Sequence, residues 1–117
     1  MAFRFESLTI WHNARAYSKS VYELTAKFPR HEDYGLRSQL NRAVNSISLN
    51  IAEGSAKGDK SFVVYLETAV GSTFEVVSAS FLALDRGYIT ADEQKSLYSE
   101  GEKLGKSINA FRNTLRQ

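Results

Sequence analysis

Cysteine is absent from this chain, and proline occurs once, at Pro29. The first absence excludes disulfides, thiolate metal sites and a cysteine nucleophile together. The scarcity of proline leaves long segments of helix formers uninterrupted, and the chain reads as all-α. No uninterrupted apolar run approaches the roughly 18 residues that cross a bilayer, so no membrane contact is expected. The opening residues, Met1 to Glu6, lack the apolar core and cleavage site of a signal peptide. A cytoplasmic, bacterial-style domain is the expectation.

Charge of one sign is also lacking. Lys and Arg number 15 against 13 Asp and Glu, a net charge of +2, with a pI near 8.9. So mild a basic bias permits contact with nucleic acid without demanding it, because the expected footprint is a clustered patch on one face. Hydrophobic residues at 43% and charged residues at 24% are globular values and exclude a disordered tail. A length of 117 residues suits one domain with a modest core. No repeat or low-complexity segment divides it.

What is present is helical periodicity. Four segments place apolar residues at steps of four and three, the spacing of one buried helix face. The first, over 7–28, has Ser7 as N-cap and Pro29 as its stop. Its seam is Ile10, Ala14, Tyr17, Val21, Leu24 and Phe28. The second, over 33–55, follows a turn in which Glu32 or Asp33 can face the positive helix N-terminus, and Gly54 begins its C-terminal glycine signal. Its seam is Leu36, Leu40, Ala43, Ile47, Asn50 and Gly54, with an amide at Asn50 where an aliphatic side chain is expected.

The third segment, over 59–86, is capped by Asp59, ended by Gly87 and apolar around much of its girth. Phe62, Leu66, Ala69, Thr73, Val76, Ser80 and Ala83 form one stripe; Val63, Val70, Val77, Phe81 and Leu84 form a second. Two stripes call for two neighbours, or for a neighbour and another subunit. Gly71 lies inside this helix, where glycine costs about 0.5–1 kcal/mol against alanine, which implies a packing role. The fourth segment, over 91–115, opens on a capping box of Thr90 and Glu93. Its seam is Leu97, Gly101, Leu104, Ile108, Phe111 and Leu115. Four such helices joined by short turns predict an antiparallel up-and-down four-helix bundle in a single domain. Trp11, Val63, Val70, Gly71 and Phe81 are the candidate contacts between copies of the chain.

No constellation for catalysis is visible. A carboxylate-bridged di-metal bundle needs Glu-x-x-His on two helices, and neither His12 nor His31 has a glutamate three residues before it. Both histidines read as solvated surface, and no metal or cofactor is expected. No Gly-x-Ser-x-Gly elbow, phosphate loop or dinucleotide fingerprint occurs. The chain is therefore expected not to be an enzyme.

The polar residues of the second helix admit two readings. Arg42, Ser46, Asn50 and Glu53 gather along one edge of its apolar stripe. In one reading they form a satisfied network, with Arg42 paired to Glu53 or Glu75 and with Asn50 and Ser46 bonded across to Ser72 or Thr73. Such networks set helix register and oligomer state. In the other, Arg37, Arg42, Lys57 and Lys60 meet the phosphates of RNA or DNA.

The spread Trp11, Val21-Tyr22-Glu23-Leu24-Thr25, Phe28-Pro29, Tyr34-Gly35-Leu36, Gln39-Leu40-Asn41-Arg42-Ala43, Ser46-Ile47 and Asn50-Ile51-Ala52-Glu53-Gly54 carries a resemblance. It continues through Phe62, Leu66, Ala69, Gly71-Ser72, Glu75 and Gly87-Tyr88. Together these residues resemble the small bacterial four-helix-bundle proteins called 23S ribosomal RNA intervening-sequence proteins. The Asn-Ile-Ala-Glu-Gly segment with the upstream Gln-Leu-x-Arg-Ala is its most specific part. The accessory variability proteins of diversity-generating retroelements are similar in fold. They form five-subunit barrels that bind a reverse transcriptase and nucleic acid, usually through a strongly basic surface. The resemblance thus implies a ring-like homo-oligomer, a pentamer in preference, that is associated with nucleic acid, RNA first. The competing expectation is a scaffold or accessory subunit that meets a protein partner without touching nucleic acid.

Overall fold

The computed structural model describes residues 2–116, and all regular structure among them is helical. A 3₁₀ turn, Arg4–Ser7, leads into α1, Thr9–Thr25, and a second, Arg30–Glu32, leads into α2, Leu36–Ser55. Then come α3, Asp59–Asp85, and α4, Ala91–Leu115. α1 rests on α2 and α4, and α3 rests on the same two, which closes a four-helix bundle. One core runs along its axis, contributed by all four helices.

Helix ends follow the local chemistry, with several shifts from the sequence reading. Ser7 is not the cap of α1: it ends the 3₁₀ turn, and Leu8 occupies the N-cap with no side-chain hydrogen bond. α1 also stops at Thr25, before Phe28, which is buried just beyond it. α3 is capped by Gly58, so Asp59 serves as a first-turn acid beside the helix dipole. Its other end is a Schellman closure: the N–H of Tyr88 donates to Ala83 at 2.9 Å and that of Gly87 to Leu84 at 3.0 Å. Gly87 takes φ 76°, a left-handed conformation that suits glycine. At α4, Thr90 Oγ1 accepts from the Glu93 N–H at 3.1 Å while Glu93 accepts from the Thr90 N–H at 2.9 Å.

The seams supply most of the core, with Leu24, Phe111 and Leu115 only partly buried at its edges and Thr25 buried beside Leu24. On α3 every residue of the first stripe is buried, from Phe62 through Leu66, Ala69, Thr73, Val76 and Ser80 to Ala83. On α2 the position after Ile47 is taken by Ile51, fully buried, whereas Asn50 is only half-buried. The amide therefore flanks the core instead of interrupting it. Tyr17 is fully buried, and its hydroxyl donates to the Leu97 carbonyl at 2.8 Å, tying α1 to α4. Burial raises the pKa of this phenol, with the Glu100 charge adding to the effect.

By length and composition α3 is apolar enough to cross a membrane, with a mean hydropathy of 1.2 in an 18-residue window of which 39% is buried. Reading by runs alone missed this because Glu67 and Glu75, with Gly71, Ser72 and Thr73 between them, interrupt the run without making the average polar. The buried stripe accounts for part of this apolarity, and an uncovered face accounts for the rest.

Two glycines set how closely the helices approach, and neither is Gly71. A Cβ on Gly54 would lie 2.6 Å from Tyr65 Cβ and 2.7 Å from Phe62 Cδ1. A Cβ on Gly101 would lie 2.5 Å from the Tyr17 hydroxyl and 2.9 Å from Val77. Gly71 faces open space, with nothing within 4 Å, so its expected packing role is not found within one chain. Gly54 lies inside the last turn of α2, which runs to Ser55. Gly54→Ala and Gly101→Ala are each expected to cost about 1–3 kcal/mol through overpacking. Gly71→Ala is expected to be neutral or to stabilise the isolated helix by up to about 1 kcal/mol. Chemical denaturation of the three variants checks this ordering.

Candidate functional site

The polar edge of α2 splits into separate arrangements. Asn50 Nδ2 donates to the Ser46 carbonyl at 2.8 Å and to Ser46 Oγ at 3.0 Å. Ser72 Oγ of α3 donates to the same Ser46 Oγ at 2.9 Å, so these three side chains do link the helices. The expected partners of the remaining members differ. Glu53 accepts from the Tyr65 hydroxyl at 2.9 Å, and Thr73 Oγ1 bonds its own helix at the Val70 carbonyl. Arg42 pairs with neither Glu53 nor Glu75 among the described residues, because all three are exposed and lie beyond ion-pair reach of one another.

The four basic residues are not one patch. α2 has 20 residues and is about 30 Å long, with Arg37 near one end and Lys57 and Lys60 beyond the other. Arg37 is largely engaged within the fold. Its Nε donates to Asp33 at 3.1 Å, and its terminal nitrogens donate to the carbonyls of Thr25 and Phe28. It thus satisfies carbonyls at and just beyond the C-terminal end of α1, and three of its N–H donors are engaged within the fold. Lys57 and Lys60 are exposed.

Arg42 lies instead in a polar cleft of about 540 Å³ between α2 and α3. Ser38, Arg42 and Ser46 form a row along α2, Gln39 lies beside them, Glu75 of α3 stands in the same cleft, and Tyr34 is at its mouth. Tyr34 is wholly exposed, at 100%. Sequence reasoning named it within the family resemblance but gave it no role, since a lone tyrosine in a turn has no period to mark it.

A second cluster that sequence reasoning did not assemble joins the two loops at one end. Glu32 is buried, and its Oε1 accepts from the Leu36 N–H at 2.8 Å, capping α2. Its Oε2 accepts from Arg86 at 2.9 Å and from the Tyr88 hydroxyl at 2.8 Å. His31 Nε2 lies 3.1 Å from the same hydroxyl. The Leu36 amide first and then the Tyr88 hydroxyl hold the Glu32 carboxyl below its ordinary value of 4.5; burial opposes them, and the charges of Arg86 and then His31 add to the lowering. Glu93 is lowered chiefly by Lys27, whereas burial raises Glu100 despite donation from Ser20.

The third feature is apolar. Between α3 and α4 runs a groove of about 560 Å³, lined mainly by Val70, Phe74, Val77, Phe81 and Tyr98. Gly101 and Gly105 form part of the α4 wall. Phe74 is 72% exposed, Phe81 45% and Tyr98 44%. Of the other expected interface residues, Val63 is half-buried on α3, and Trp11 is half-buried against Phe5 with ring centroids 4.7 Å apart. Gly71 is exposed on α3. Among the described residues no three His, Asp or Glu gather as metal ligands.

The family model of the 23S rRNA-intervening sequence proteins matches residues 6–110. The chain belongs to this family. No curated protein matches it. Among solved structures it is similar to a protein of unknown function from the S23 ribosomal protein family of Bacteroides thetaiotaomicron. That likeness has a TM-score of 0.81 at 17% identity and covers 89% of this chain and 98% of the other. It establishes a common fold and nothing finer.

The Glu32 cluster makes a pH prediction. Its folded pKa is depressed, so the ionised carboxylate stabilises the fold above the unfolded value near 4.5. That contribution is lost as pH falls through the depressed folded value. Wild-type Tm should therefore exceed that of Glu32→Gln at neutral pH, and the gap should close in acid. Thermal unfolding of both proteins across that range is the check, and a gap independent of pH would refute the ionic role.

Proposed function

We propose that this chain is a non-enzymatic, antiparallel up-and-down bundle that assembles with its own copies into a ring, a pentamer in preference, and works in contact with RNA. The observation that carries the proposal is the α3–α4 groove, where Phe74, Phe81 and Tyr98 stay open to solvent beside a row of glycines. A connected apolar surface of this kind marks an interaction site.

The order of cross-helix contacts supports the antiparallel arrangement. In α1 and α2, Thr25 meets Asn41 while Ser18 meets Asn45. In α3 and α4, Phe62 meets Phe111 while Ser80 meets Gln94. Both sets run in opposite senses. The ring follows from the family resemblance. Contact with RNA is supported by the family's description and by Arg42, which has no acidic partner among the described residues. Repetition around a ring would combine modest basic sites through multivalency.

Light scattering should give a mass several times the 13.1 kDa of one chain, with Phe74→Ser and Phe81→Ser together returning it to one chain. Phe74 is 72% exposed and Phe81 45%, and neither belongs to the buried core, so circular dichroism should show the variant's helices retained. A single-chain mass for the wild type across micromolar concentrations would remove the assembly reading. Binding to labelled structured RNA should weaken steeply as salt rises. Absence of binding even at low salt would favour the scaffold without nucleic acid.

A further inference from the structure

The α2–α3 cleft combines three chemistries rarely found together on a solvated bundle face. Arg42 offers a guanidinium that no carboxylate among the described residues neutralises. Glu75 offers a carboxylate, likewise outside any ion pair among those residues, and it lines the same cleft from α3. Tyr34 offers an aromatic ring with no covering at all, at 100% exposure. Ser38, Gln39 and Ser46 add neutral hydrogen-bonding groups between them. Ser46 is itself held by Asn50 and Ser72, which steadies one wall of the cleft.

A bare phosphate or carboxylate would be drawn to Arg42 but repelled by Glu75, and a simple amine would meet the reverse. The complementary ligand carries an anion, N–H donors and a flat ring at once. A nucleotide is such a ligand, and a cleft near 540 Å³ lies within the ordinary range for small-ligand sites, about 300–1,000 Å³.

We infer that this cleft takes one nucleotide unit of single-stranded RNA, with Tyr34 stacking on the base, Arg42 meeting the phosphate and Glu75 accepting from an amino-bearing base edge. The inference rests on the RNA-contact reading above and gives that contact its place. Unpaired bases in loops and ends are what aromatic side chains stack on, and their Watson–Crick edges are free to be read. Arg37, Lys57 and Lys60 are not needed for it.

The test is fluorescence anisotropy of the full chain with short unstructured RNA probes, one rich in guanine and one in uracil, across a salt series. Tyr34→Ala should weaken binding roughly ten-fold to a hundred-fold, while Tyr34→Phe preserves it, because stacking needs the ring and not the hydroxyl. Arg42→Ala should flatten the salt dependence by about 0.7 in log affinity per log salt, the share of one phosphate on a single strand. Glu75→Gln should narrow the preference for the guanine probe. Guanosine monophosphate tested alone separates the sources. Displacement of RNA at comparable concentration assigns the site to a free nucleotide, and weak displacement assigns it to the strand.

Wild-type binding that survives Tyr34→Ala and Arg42→Ala with unchanged affinity and slope would overturn the cleft assignment and leave RNA contact elsewhere on the surface. No RNA or nucleotide binding by the wild type at low salt would overturn both. Circular dichroism of the Tyr34 variants guards the comparison, and an exposed ring with no buried contact predicts spectra identical to the wild type.

Discussion

The bundle depends on α3 being able to approach its neighbours closely, and two absent side chains make that possible. At Gly54 the backbone of α2 comes against Phe62 and Tyr65, and at Gly101 the backbone of α4 comes against Val77 and the Tyr17 hydroxyl. A methyl group at either place would overlap atoms that have no room to retreat in a close-packed interior. These approaches bury the first stripe of α3 completely. The second stripe of α3 stays outside this core, and Phe74 and Phe81 remain exposed in the groove beside α4.

Polar groups are organised around the ends of the helices. Glu32 caps α2 and gathers Arg86 and Tyr88 from the loop after α3, and Arg37 closes carbonyls left open at the end of α1. Hydrogen bonds to charged groups contribute roughly twice as much as neutral ones. Structural demands therefore absorb Arg37 and Arg86 and leave Arg42 in a cleft with no ion pair among the described residues. Net charge alone, at +2, says nothing about this division. The fold decides which charges are available to a ligand.

Legibility from the sequence differed by kind of feature. The α3 stripe from Phe62 to Ala83 and the α4 capping box were readable because they repeat or sit at fixed local offsets. Asn50 was placed on the seam by counting alone. Its neighbour Ile51 is equally compatible with helical spacing, and burial favours the aliphatic side chain. Ser7 failed as a cap because an intervening 3₁₀ turn delayed α1 to Thr9, a shift of the size common at helix ends. Arg42 and Glu53 share α2 but stand about three turns apart, roughly 16 Å along its axis, which is beyond ion-pair reach, and Tyr65 bonds that carboxylate instead.

The sequence by itself determined four helices, their order, the faces they bury and the family, because each depends on periodicity or local chemistry along the chain. Tertiary structure alone decided that Gly54 and Gly101 carry the close contacts while Gly71 faces open space. It also separated the basic residues, engaged Arg37 within the fold, and brought Tyr34, Arg42 and Glu75 to one cleft. The physical reason is that these outcomes depend on distances between residues far apart in the chain. Helix rotation and approach set those distances, and no local spacing encodes them.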